Sequence, residues 1–152
     1  MAFVLDASVT ACWAFDDEDH PDASLAFDRM RAEEAVVPGL WWFEVRNILI
    51  VNEHRRRITE SGTAAFLFSL SRLRIRVDHV PDENGVLRLA RAHRLSVYDA
   101  AYLELAQREG LPLATLDADL QKAAAAEGTA LLSSQDAEAA GRSRPDPRPR
   151  CD

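Results

Sequence analysis

Five carboxylates stand where an apolar run gives way to helix-forming sequence: Asp6, Glu44, Asp99, Asp117 and Asp119. Asp6 directly follows Ala2-Phe3-Val4-Leu5, and Asp117 directly follows Leu113-Ala114-Thr115-Leu116. Glu44 lies one helical turn beyond an apolar run that ends at Pro38, and Asp99 opens a helical segment. Carboxylates drawn to one edge repel one another and raise each other's pKa unless a cation intervenes. Their convergence would imply a bound metal, and ligation by oxygen alone selects Mg2+ or Mn2+ over zinc. A hydrated divalent ion in such a place can activate water, stabilise a leaving oxygen and hold a phosphodiester in line, with no protein nucleophile. The four histidines, His20, His54, His79 and His93, suggest no Ser/His/Asp or Cys/His pairing and read as surface residues.

Each carboxylate also has an ordinary explanation. Asp99 follows Ser96 by three residues and could complete a capping box. Asp6 and Asp117 could be turn or N-cap residues, and Glu44 in a first turn would complement the helix dipole. Taken singly, none identifies a site.

The elements that must carry these residues alternate between strand and helix. Ala2 to Leu5 is too short for a helix and reads as a buried strand, followed by a helix over Val9 to Phe15, an acidic loop, and a helix from Ala23 to about Glu33. Ala35 to Pro38 reads as a second strand. Trp41, Val45, Ile48 and Val51 fall at helical spacing between Gly39 and the Arg55-Arg56-Arg57 run. A helix opened by Thr59 and Glu60, a third strand over Ile75 to Val80 and a helix over Asp82 to His93 come next. Ser96 to Gly110 carries a cap at its start and a glycine at its end, and Leu111 to Leu116 is a fourth strand. A helix through about Glu127, a fifth short strand at Ala130 to Leu132 and a last helix over Gln135 to Ala140 complete the pattern. Such alternation implies a mostly parallel sheet of about five short strands between helical layers, with ligands bound beyond the strands' carboxyl ends.

Length and composition bound the rest. A chain of 152 residues fits one domain, read as residues 1–140, and from Gly141 the sequence turns to Arg, Pro, Ser and Asp with nothing apolar to pack, so residues 141–152 are expected to be a disordered tail. The two cysteines, Cys12 and Cys151, have no metal or redox spacing, and Cys12 reads as core. No apolar run is long enough for a membrane helix and none resembles a signal peptide, so no membrane association is expected and the cytoplasm is the expected compartment. A net charge of -7 argues against nucleic-acid binding by bulk positive potential. Local basic clusters could compensate: Arg55, Arg56 and Arg57, with Arg46 placed one turn beyond Glu44, are read as bordering the acidic pocket and guiding a phosphate backbone, the alternative being a solvated helix end.

Four segments in order carry a resemblance to a known family: Phe3-Val4-Leu5-Asp6-Ala7-Ser8, Trp42-Phe43-Glu44-Val45-Arg46-Asn47, Leu95-Ser96-Val97-Tyr98-Asp99-Ala100-Ala101-Tyr102, and Ala114-Thr115-Leu116-Asp117-Ala118-Asp119-Leu120. From Ala2 to about Ser134 the sequence resembles the PIN-domain ribonucleases, in particular the VapC-type toxins of bacterial toxin-antitoxin pairs. The resemblance implies a PIN-like three-layer α/β sandwich and a metal-dependent endoribonuclease that hydrolyses RNA phosphodiester bonds. It implies Mg2+ or Mn2+ held by Asp6, Glu44, Asp99 and Asp117, with the hydroxyls of Ser8 and Thr115 holding water or carboxylates nearby. Asp119 is then a helix cap or an outer ligand. It also implies a homodimer, an RNA substrate and a VapB-type antitoxin partner.

Two other readings share the acidic edge. A haloacid-dehalogenase-like hydrolase would use Asp6 as nucleophile, but it wants a second acid where Ser8 stands and a lysine placed elsewhere than Lys122, the only one. A receiver-type signalling module would need paired acids after the first strand and a lysine after the last, and the sequence has neither.

Overall fold

In the computed structural model, which describes residues 1–142, four strands form one parallel sheet. β1 (Ala2–Leu5), β2 (Glu34–Pro38), β3 (Ile75–Asp78) and β4 (Leu113–Ala114) lie in the order β3-β2-β1-β4. Phe3 pairs with Ala35, Val36 with Arg76 and Leu5 with Ala114. Phe3, Val4, Leu5, Ala35, Val36 and Val37 have no exposed surface, the unbroken burial of parallel strands covered on both faces.

Two helices fill each connection between strands. α1 (Ala7–Cys12) and α2 (Pro21–Arg29) join β1 to β2, α3 (Leu40–His54) and α4 (Glu60–Ser71) join β2 to β3, and α5 (Glu83–His93) and α6 (Val97–Glu109) join β3 to β4; α7 (Ala118–Ala126) and α8 (Ser134–Arg142) follow. Local chemistry sets their ends. Ser96 accepts the Asp99 N–H through its hydroxyl to start α6, and Gly110 ends it at φ +65°, a left-handed turn that costs glycine little. α2 begins at Pro21 rather than Ala23, because the His20 ring nitrogen accepts the Asp22 N–H and proline suits the first helical position.

α6 is the central helix. All seven residues from Ala100 to Ala106 are buried, and the helix packs against β1, β2, β4, α5 and α7. Burying Leu103 and Leu105 stabilises the fold by roughly 1.5–3 kcal/mol each, and the buried alanines on either side, Ala100, Ala101 and Ala106, let neighbouring elements approach closely.

Several expectations need correction. The sheet has four strands rather than about five: β4 offers only two residues, so Ala130 to Leu132 makes one bridge, Leu131 against Leu113, instead of a strand. β4 is correspondingly shorter than Leu111 to Leu116, and β3 stops at Asp78 rather than Val80. α1 starts directly after Asp6, not at Val9, and ends at Cys12. Glu44 is the fifth residue of α3, in its second turn, so the dipole reading of its position falls. α8 runs to Arg142, two residues past the expected domain end; the rest of the expected tail lies outside the described residues.

Candidate active site

The carboxyl ends of β1 and β4 meet at Asp6. Its backbone N–H donates to the Ala114 carbonyl at 3.0 Å, which closes the crevice beside β1 where chain order reverses. The carboxylate is buried, and its Oδ2 accepts two hydroxyls, from Thr115 at 2.7 Å and from Ser8 at 2.8 Å. Both hydroxyls also accept from the backbone of the turn that follows β4. The Leu116 N–H donates to Ser8 Oγ at 3.0 Å, and the Asp117 N–H donates to Thr115 Oγ1 at 3.1 Å. Gln121 anchors the same turn by donating its amide to the Thr115 carbonyl at 2.9 Å. From the other side Thr10 donates its hydroxyl to the Asp6 carbonyl and accepts the indole N–H of Trp41, so α3 is tied to the strand that carries Asp6.

Asp117 caps α7, its Oδ1 accepting the Leu120 N–H at 2.8 Å, and it also acts electrostatically on Asp6 and Asp99. Capping and a place in the acidic cluster therefore coexist in one side chain. Asp119, in the first turn of α7, is exposed and acts more weakly on Asp99. Asp99 is half-buried in the first turn of α6, where the Ser96 cap holds its backbone. Glu44 is half-buried, and its Oε1 accepts the hydroxyl of Tyr102 at 2.6 Å.

Electrostatics join these groups into one set. Burial raises the pKa of Asp6 above the ordinary aspartate value, Thr115 and Ser8 oppose that rise, and Asp117 adds to it. Glu44 is raised by burial, eased by Tyr102, and raised again by Asp6 and Asp99. Asp99 is raised by partial desolvation and then by Asp117 and Asp6. Among the described residues, the charged groups that act on these three are themselves carboxylates, so the crevice concentrates negative charge.

That donor set fits a hard divalent cation, since every candidate ligand is a carboxylate oxygen. The side chains approach one another without closing: among the described residues no three acids, histidines or cysteines stand together tightly enough to enclose an ion.

Sequence reasoning missed Tyr102. It stands three residues after Asp99, one turn along the same helix face, and that spacing was the available signal.

The basic residues separate into two groups. Arg46 turns onto the Trp42 ring, 3.9 Å from its centroid, and lines a cleft with Leu67 and Leu70 of α4. Two residues beyond Glu44 on a helix is about 200° round it, which carries Arg46 away from the carboxylates. Arg57 is engaged with Asp17, Glu18 and Asn52. Arg55 and Arg56 are exposed just past the end of α3, eleven or twelve residues beyond Glu44 and so about 16 Å or more along the helix. Of the histidines, His93 is half-buried and bonds Glu127 at 2.7 Å, and it lines a cavity with Arg94, Asp119 and Lys122.

The family described as the PIN domain matches residues 3–126 of this sequence. No curated protein matches the chain in sequence. Among solved structures, PAE2754 from Pyrobaculum aerophilum superposes with a TM-score of 0.69 at 20% identity, covering 93% of this chain and 96% of its own. VapC20 from Mycobacterium tuberculosis, a sarcin-ricin loop cleaving toxin, superposes with a TM-score of 0.53 at 17% identity, covering 80% of this chain and 94% of its own. At these identities the likeness is one of fold.

Proposed function

The chain belongs to the PIN-domain family, and on that premise we propose that it is a metal-dependent endoribonuclease acting as the toxin of a toxin-antitoxin pair. The observation that carries this reading is the uncompensated carboxylate set of Asp6, Glu44, Asp99 and Asp117 at one edge of a parallel sheet. Family membership removes the haloacid-dehalogenase-like and receiver-type alternatives.

Asp6, Glu44, Asp99 and Asp117 would hold Mg2+ or Mn2+, with Asp119 an outer contributor. The ion, when bound, supplies a Lewis acid and an activated water for attack on a phosphodiester. The protein's own part is orientation. Ser8 and Thr115 fix the Asp6 carboxylate by bonding the same oxygen, and they spend their remaining bonds on the backbone that carries Asp117. Asp117 in turn is held by the α7 amide it caps.

RNA is the substrate class of the toxin VapC20, whose fold this chain shares, and we extend that class to this chain. Arg55 and Arg56, exposed and at a distance from the carboxylates, suit binding of flanking phosphates. Exposed apolar side chains stand immediately before two of the acids, Trp42 and Phe43 before Glu44, and Val97 and Tyr98 before Asp99. Such surface favours coverage by another chain, either a VapB-type antitoxin or a second copy in a homodimer. None of the helices among the described residues is long and apolar enough to cross a membrane. The compartment that suits an RNA-cutting toxin is the cytoplasm.

The test is cleavage of single-stranded RNA by purified protein freed of any partner, with Mg2+ or Mn2+ and with excess chelator. Cleavage that stops in chelator supports the reading; unchanged cleavage there overturns it.

A further inference from the structure

Tyr102 has no exposed surface, yet its hydroxyl does not end in apolar core. It donates a 2.6 Å hydrogen bond from α6 to Glu44 on α3, joining two helices that no strand connects directly. Tyr102 also shares a face of α6 with Asp99, one turn before it, and lies within the electrostatic reach of Asp6. A phenylalanine would fill the same volume and leave no donor to satisfy, so the hydroxyl is a polar group inserted into the core towards the acidic crevice.

What the bond does follows from the shape of the acceptor. Glutamate has one more rotatable bond than aspartate, and Glu44 reaches the crevice from the second turn of a helix rather than from a strand end. Asp6 is restrained by Ser8 and Thr115 and Asp117 by its cap, while Asp99 has a shorter side chain on the helical turn whose backbone Ser96 holds. Glu44 has only Tyr102. Among the described residues its Oε1 takes that hydroxyl, while no hydrogen bond reaches its Oε2.

We propose that Tyr102 is a positioning residue whose buried hydroxyl holds Glu44 in one rotamer, so that the second carboxylate oxygen is presented to a divalent cation shared with Asp6, Asp99 and Asp117. The proposal rests on the metal-dependent reading given above. It adds a residue that touches neither ion nor RNA and acts through the orientation of another.

The test measures Mn2+ binding without RNA, by calorimetry or by the paramagnetic signal of free Mn2+, for the parent, Y102F, E44A and the double variant. Y102F is expected to weaken Mn2+ binding about tenfold, the scale on which groups that orient metal ligands act. In the E44A background the same change is expected to cost nothing further, because no carboxylate remains to be held. A purely structural role for the hydroxyl would weaken binding equally in both backgrounds, which would overturn the proposal, as would Y102F binding Mn2+ as tightly as the parent. E44D, which draws the carboxylate back from the hydroxyl without altering the core, approaches the same bond from the other side; parent-like affinity in E44D also counts against it. Failure of the parent itself to bind Mn2+ removes the metal reading along with the positioning role, and is distinguishable from a parent that binds while Y102F is unaffected.

Discussion

Thr115 and Asp6 are 109 residues apart in the chain and 2.7 Å apart in the fold, hydroxyl to carboxylate. The same hydroxyl accepts the Asp117 N–H, so one side chain joins the first strand to the turn that carries another acid. T115V keeps the volume and removes both bonds. The metal-free variant should lose about 1–3 kcal/mol, the usual cost of stripping a partner from a buried charged acceptor, and T115S should recover most of it. Denaturant unfolding in chelator checks this; a T115V protein as stable as the parent would show that Asp6 does not depend on the bond.

Repulsion among the acids predicts a gain from metal. Saturating Mg2+ should raise the melting temperature by about 5–10 °C through preferential binding to the folded state. D117N removes a negative charge but keeps the α7 cap, since asparagine caps as well as aspartate. Without metal, D117N should melt no lower than the parent, and it should gain less from Mg2+. A marked drop in metal-free melting temperature would mean that Asp117 is needed charged for the fold.

The same groups set a pH dependence. Asp6, Glu44 and Asp99 have raised folded pKa values, each first through desolvation. Groups raised in this way bind protons more readily folded than unfolded, so the stability they contribute is present at low pH and is lost as pH rises through their folded values. In chelator the melting temperature should therefore increase as pH falls from neutrality towards the ordinary carboxylate range, and Mg2+ should flatten or reverse that slope. Glu127 works the other way: its pKa is lowered by His93, so its contribution is lost only as pH falls through that lower value, below this window. Flat melting across the window in chelator would contradict the coupling of the three acids.

D6N and D99N each remove charge with little change in volume, and each should reduce RNA cleavage by roughly two orders of magnitude or more while melting near the parent in chelator. Full activity in either variant would remove that residue from the site.

Charge reversal at Arg55 and Arg56 should weaken RNA binding at low salt and reduce the salt slope by about 0.7 for each phosphate no longer neutralised, as for a single strand. Arg57 is predicted to respond differently. Its reversal breaks the pairs with Asp17 and Glu18, so the cost should fall on stability rather than on RNA affinity. Unchanged RNA affinity after reversing Arg55 and Arg56 would make them a solvated helix end.

Much of this was legible in local sequence, and the misses have identifiable causes. β1 and β2 announce themselves as short apolar runs because parallel strands are buried on both faces, and Ser96 with Gly110 marks both ends of α6 to the residue. The fifth strand failed because its apolar residues are real but its neighbour β4 is two residues long, a fact about pairing that no single segment contains. For the site, each acid taken alone fitted a cap or a turn as well as a ligand, and Asp117 proves to be a cap as well as part of the acidic set. Convergence depends on strand order, and its only sequence signal was the ordered set of segments that resembles a family. Tyr102 was passed over because a tyrosine among alanines and leucines reads as core, which it is; only the partner of its hydroxyl distinguishes it.

The position of β4 beside β1 has a consequence for the cell that makes this protein. Asp6 leaves the ribosome 109 residues ahead of Thr115, the hydroxyl that holds it. The capped acid beside it and the strand that closes the crevice come from the same late stretch, residues 113–120. Until that stretch emerges, the other three acids stand on an unfinished sheet and the acidic set is incomplete. Under the proposed function, the order of emergence would keep the cutting site unassembled through most of synthesis, with the fourth strand as the piece that completes it.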